Sequence, residues 1–159
     1  MQFTRVLFLA LFAATAGCGA DALVAPPPTA ELQAAPASIV VEGQTLVLRP
    51  ELWRDFMPIT PPNGKPLAAV LRLYAASGTP VTASFHVDAA WVVNGADMWA
   101  PSVEENPFAR WNPQYYEVVA HDGPKWDPGI LVDVVVRVRE ASGATQLLRA
   151  AAQRIQTTN

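Results

Sequence analysis

From residue 38 onward, apolar and polar side chains alternate with a period of two over most of the chain. Ile130, Val132, Val134, Val136 and Val138 alternate with Leu131, Asp133, Val135, Arg137 and Arg139, the longest β-branched face in the sequence. Branched side chains pack well on a pleated surface, so this run predicts a central β-strand. Leu67, Ala69, Leu71, Leu73 and Ala75 alternate with Ala68, Val70, Arg72 and Tyr74. The polar groups fall in the second set, which predicts a half-buried strand with its odd positions inward. Val81, Ala83, Phe85 and Val87 repeat the pattern against Thr82, Ser84, His86 and Asp88.

Shorter stretches complete the pattern. Residues 38–41 and 45–49 predict two strands around the turn Glu42-Gly43-Gln44. Residues 90–93 and 96–99 flank Asn94-Gly95, a dipeptide favoured at the centre of tight hairpins, and that pairing would bring Trp91 near Trp99. Residues 115–121 predict a strand with Tyr116, Val118 and Ala120 on one face. Residues 145–156 are alanine-rich, but the turn at 140–144 closes a hairpin into them and predicts a terminal strand. In residues 50–58 the spacing of Leu52 and Phe56 predicts a single helical turn. Proline and glycine make loops of 60–66, 101–113 and 122–129. The long irregular segment 101–113 is the favoured place for a functional loop.

Seven or eight strands about a dozen residues apart, separated by Gly/Pro turns, predict one all-β domain over residues 38–157, an antiparallel β-sandwich. The pattern resembles immunoglobulin and fibronectin type III sandwiches, without the paired cysteines of antibody domains. That resemblance is architectural and implies no activity.

The N-terminus follows a different pattern. Arg5 precedes an uninterrupted apolar run over residues 6–14 that ends in small residues, the layout of a secretory signal peptide over 1–17. A helix spanning the membrane needs roughly 20 apolar residues, and this run is shorter. Ala16-Gly17-Cys18 resembles the lipobox of bacterial lipoproteins, although Thr15 stands where leucine is usual. The resemblance implies that Cys18, the only cysteine, receives a diacylglyceryl group and becomes the first residue of the mature chain. It also implies an envelope location with the membrane as partner through that lipid; Gly19, which is not aspartate, points to the outer membrane. Ala14-Thr15-Ala16 is also a small-x-small site for ordinary signal peptidase, whose action would release a soluble protein. Residues 18–37 contain Pro26-Pro27-Pro28 and Pro36 among alanines and predict a disordered, extended linker.

Charge narrows the partners. Loss of Arg5 with the signal leaves 10 basic against 14 acidic residues, a formal −4. Such a chain offers no electrostatic footprint for nucleic acid and no polybasic attraction to anionic lipid. A single cysteine forms no intramolecular disulfide.

Candidate chemistry is sparse. The sequence has no nucleophile elbow, phosphate loop, H-E-x-x-H or C-x-x-C, so the expectation is a non-catalytic domain with no cofactor and no metal. His86, Asp88, His121 and Asp122 fit solvated sheet positions better than a ligand set, because zinc sites combine several His or Cys. Glu104 and Glu105 could form a carboxylate pair for glycoside hydrolysis, but acidic loop residues are usually only solvated. Trp99, Phe108, Trp111, Tyr115 and Trp126 fall in or beside loops, where aromatics anchor protein partners or stack on sugar rings. The sequence therefore predicts a lipid-tethered interaction or structural module. The alternative is a carbohydrate or peptidoglycan binder using Trp99, Trp111 and Trp126, and a hydrolase is a third reading.

Overall fold

The computed structural model describes residues 26–158. Cys18 and the signal peptide expected over residues 1–17 lie outside the described residues. Nine strands run in the order β1 Ile39–Val41, β2 Gln44–Asp55, β3 Leu67–Ala75, β4 Phe85–Asn94, β5 Asp97–Trp99, β6 Glu104–Glu105, β7 Tyr115–Gly123, β8 Leu131–Glu140 and β9 Thr145–Thr158. A short helix, α1, covers Thr29–Ala34, and a 3-10 turn covers Ala109–Trp111. The strands form one curled sheet in the order β5-β4-β8-β9-β2-β3-β7-β6, with β1 beside the start of β2. The chain is all-β in class, and the sheet is mixed rather than antiparallel throughout. Leu52 to Asp55 of β2 pair in parallel with Ile155 to Thr158 of β9.

β9 bends the sheet. Its first part pairs with β8, and the register shifts where Val132 and Val134 of β8 face Gln153 and Ala150. Ala152 sits in this bulge at φ 53°, where an L-residue is strained. Asp133 holds the bulge by accepting a hydrogen bond from the Ala152 N–H at 2.9 Å, and its other oxygen pairs with Arg149 Nη2 at 2.8 Å. Past the bulge, β9 joins β2 and carries the sheet into its second half. Leu46, Leu48 and Leu52 of β2 and the odd positions 67–73 of β3 then share one core with Val132, Val134, Val136 and Val138 of β8. The free ends of the sheet nearly meet: a Cβ placed on Gly123 of β7 would lie 3.0 Å from the Trp99 ring of β5.

Four further expectations are corrected. Residues 50–55 continue β2 instead of turning as a helix, because Pro50 pairs opposite Leu71 and strand partners on both sides outweigh the local Leu52–Phe56 spacing. β4 starts at Phe85, so residues 81–84 are loop, although Val81 and Ala83 still pack on the core. The hairpin register pairs Trp99 with Val92, which sends Trp91 and Trp99 to opposite faces. Finally, part of the expected linker is folded. α1 buries Leu32 completely against Trp91, Val93 and Val135, on the outer side of β4 and β8. Arg149 ties this strap down: its Nη1 donates to the Gln33 carbonyl at 2.5 Å and its backbone N–H to the Pro36 carbonyl at 2.8 Å. Thus β4 and β8 are apolar on both faces where the strap docks, at Trp91, Val93 and Val135.

Candidate functional site

The strand register sorts the loops to two ends of the curled sheet. One end gathers residues 42–44, 76–84, 106–114 and 140–144, the other residues 56–66, 94–99 and 123–130. At the first end, two asparagines shape the 3-10 turn. Asn106 Oδ1 accepts the Phe108 N–H at 3.1 Å while its amide donates to Glu117 Oε1 at 2.5 Å. Asn112 Oδ1 accepts the Gln114 N–H at 3.0 Å, and the Pro113 carbonyl accepts the Val81 N–H at 2.7 Å. Short side chains that satisfy nearby backbone groups hold turns of this kind. Held from beneath, the turn projects Phe108 and Trp111 outward, 81% and 87% exposed.

Beneath the turn, Glu117 is 5% exposed and receives Arg72 Nε at 2.5 Å. Arg72 Nη1 also meets Glu51 at 2.8 Å. Burial lowers the Arg72 pKa, but the Glu117 hydrogen bond and the Glu51 charge outweigh it and hold the guanidinium above its ordinary value. The Arg72 guanidinium lies 5.3 Å from the Tyr115 ring, which packs at 5.4 Å on Tyr74. A cleft of about 220 Å³ opens between residues 81–85 and the 3-10 turn, walled by Phe85, Asn112, Tyr115 and Tyr116. Phe85 and Tyr116 pack with ring centroids 5.0 Å apart. Because Arg72 and Asn106 already engage both oxygens of Glu117, that carboxylate is committed to bracing the turn, and the cleft offers contact surface.

The five aromatic candidates divide between the two ends. Phe108, Trp111 and Tyr115 belong to the first. Trp99 packs on the core beside Gly123, and Trp126 also packs on the core while its carbonyl accepts Arg54 Nη1 at 3.2 Å. A single surface made of Trp99, Trp111 and Trp126 is therefore absent from this geometry. His86 stands opposite Arg139 in the β4–β8 register, and His121 lies at the far end of β7. Among the described residues no three His, Cys, Asp or Glu side chains group together. Asp88 accepts Arg137 Nε and Arg139 Nε, each at 2.7 Å. Burial pushes its carboxyl pKa up, and the two arginine hydrogen bonds bring it below the ordinary carboxylate value.

One further aromatic lies outside the five candidates. Trp53 is half-buried on the outer face of β2, between Gln156 of β9 and Ala68 of β3 in register. Its signal was the alternation Leu52-in, Trp53-out, which the expected helical turn concealed.

The fold and this surface define the class: a curled, mixed all-β domain with an aromatic turn at one end. Comparison with protein-family models, with curated proteins and with solved structures finds no match.

Proposed function

We propose that the chain is a non-catalytic envelope lipoprotein, anchored through a lipid on Cys18, whose domain is an immunoglobulin-like sandwich that binds a protein partner through the turn at 106–112. The single core shared by both halves of the sheet supports the sandwich reading. The observation that carries the binding reading is the exposure of Phe108 and Trp111 on one braced turn. Rigid aromatics lose little side-chain entropy on contact and dominate the energetics of interfaces. The Arg72 ion pair with buried Glu117 fixes the platform beneath them.

Photo-crosslinking tests the surface. A benzophenone side chain at position 114 in the anchored protein gives a discrete adduct in cells, and Phe108→Ser with Trp111→Ser removes that adduct while leaving the unfolding midpoint unchanged. An adduct of undiminished yield in the double variant refutes the surface. The intact mass of the mature protein, compared with Cys18→Ala, tests the anchor separately. A freely soluble chain with an unmodified N-terminus overturns it.

A further inference from the structure

We propose that the outer face of the sheet around Trp53 is a second binding site, for a neutral saccharide chain. Trp53 lies on the same level as Ala68 and Gln156. The Ala68 side chain ends at its Cβ, so nothing from β3 rises beside the indole at that level. Opposite Ala68, the β3–β7 register is irregular between the Leu67–Gly123 and Ala69–Ala120 pairs. Asp122 stands in this irregularity at φ 62°, and bulges of this kind re-aim side chains. The result is two shallow grooves that share Trp53 as a wall. One, of about 480 Å³, runs beside Glu51, Gln156 and Thr157. The other, of about 240 Å³, runs beside Lys65, His121 and Asp122.

The chemistry of this face selects the ligand. The Trp53 indole N–H and the side chains of Gln156, His121 and Asp122 make no hydrogen bond or ion pair among the described residues. They supply donors and acceptors on both sides of an aromatic plate, the combination that orients a polyhydroxylated ring. Charge argues for a neutral one. Glu51 is paired with Arg72 at 2.8 Å and Asp55 with Lys65 at 3.0 Å. Because Arg72 is shared between Glu51 and Glu117, and Asp122 has no cationic partner, the face is net negative and repels a polyanion. From β9 to β7 the face spans three strand spacings, about 14 Å, the length of a short oligosaccharide. This site stands apart from the aromatic turn and does not depend on it.

Titration of the isotope-labelled protein with cellotetraose and with tetra-N-acetylchitotetraose, followed by NMR, tests the proposal. At least one of them shifts the Trp53 indole N–H and the amides of His121, Asp122 and Gln156 saturably, with a dissociation constant of about 1 mM or tighter. Trp53→Ala weakens binding at least about tenfold, Trp53→Phe weakens it less, and Trp111→Ala binds as the parent does. Gln156→Ala combined with His121→Ala gives a second readout, a loss of about threefold or more, should the alanine at 53 disturb folding. The proposal fails if neither tetrasaccharide gives a saturable shift up to about 10 mM, or if both sets of variants bind as the parent. It fails equally if the shifts are confined to residues 106–112, since sugar binding would then belong to the turn.

Discussion

Leu32 offers the sharpest test of how this domain is assembled. Its side chain is fully buried against Trp91, Val93 and Val135, yet it belongs to a helix of six residues with no side-chain cap at its N-terminus. Helices that short have no stability of their own in water. Docking therefore rests on Leu32 and on the two Arg149 hydrogen bonds to Gln33 and Pro36. Leu→Ala in a packed site costs about 2 to 5 kcal/mol. The main core contains none of these contacts, so the loss falls on the docking equilibrium of the strap and leaves global stability nearly intact. At about 1.4 kcal/mol per tenfold, even the lower figure opens the strap roughly 30-fold more often. The assay is amide hydrogen exchange at Arg149, whose N–H is bonded to the Pro36 carbonyl. Leu32→Ala accelerates exchange there while the interior amides of β8, at Val134 and Val136, keep their parent rates. Exchange at Arg149 that does not change refutes the docking argument. Parallel acceleration across β4, β8 and β9 refutes it differently, by making the strap part of the global cooperative unit.

Arg54 is 3% exposed and donates to the carbonyls of Asn63, Lys65, Lys125 and Trp126. Arg54→Met leaves these acceptors without donors and lowers the unfolding free energy by about 3 kcal/mol or more, measured in urea. Gly123→Ala forces a Cβ to within 2.9 Å of Leu67 Cβ and 3.0 Å of the Trp99 ring. Thermal unfolding should show a loss of about 1 to 3 kcal/mol, and a neutral outcome would mean that β5 and β7 do not meet there. The Asp88 carboxyl titrates below its ordinary value of 3.8 in the folded state. Its contribution is thus complete above that pH and fades as pH falls through the lower folded value. Asp88→Asn accordingly shows a constant deficit in unfolding midpoint at neutral pH that narrows below about pH 3.8; a deficit that widens on acidification reverses the assigned sign.

Much of the sheet was legible because burial on one face imposes a strict period of two. β3 is the clear case: all its odd positions from Leu67 to Ala75 are buried and its even ones are half-buried. β8 carried a further signal that alternation alone did not use. Val135 sits in its outward set, and Trp91 and Val93 are its neighbours on β4. Three large apolar residues on a nominally solvated face require a cover, and Leu32 is the one large apolar side chain at 26–37. The segment 50–55 was illegible for a different reason. A proline and an i, i+4 apolar pair are local signals, whereas pairing to β3 and β9 is set by residues far along the chain. The same misassignment concealed the sheet face on which Trp53 stands. The aromatic candidates were visible as residues, but which end each occupies depends on register. Composition does not encode that.

The folded strap changes what a tether can do under the lipid-anchored reading. An unfolded linker from residue 19 to 37 would reach at most about 65 Å, because an extended chain spans about 3.3 to 3.6 Å per residue. With α1 docked from Thr29, only ten residues, 19–28, are left to separate Cys18 from the domain, a reach of about 35 Å. Any pull on the anchor is then transmitted to Leu32 and to the Arg149 contacts before it reaches a strand of the main core. Release of the strap would restore the longer reach and uncover Trp91, Val93 and Val135 together. The aromatic turn and the Trp53 face are built from neither α1 nor its contacts, so both surfaces keep their geometry whether the strap is docked or free.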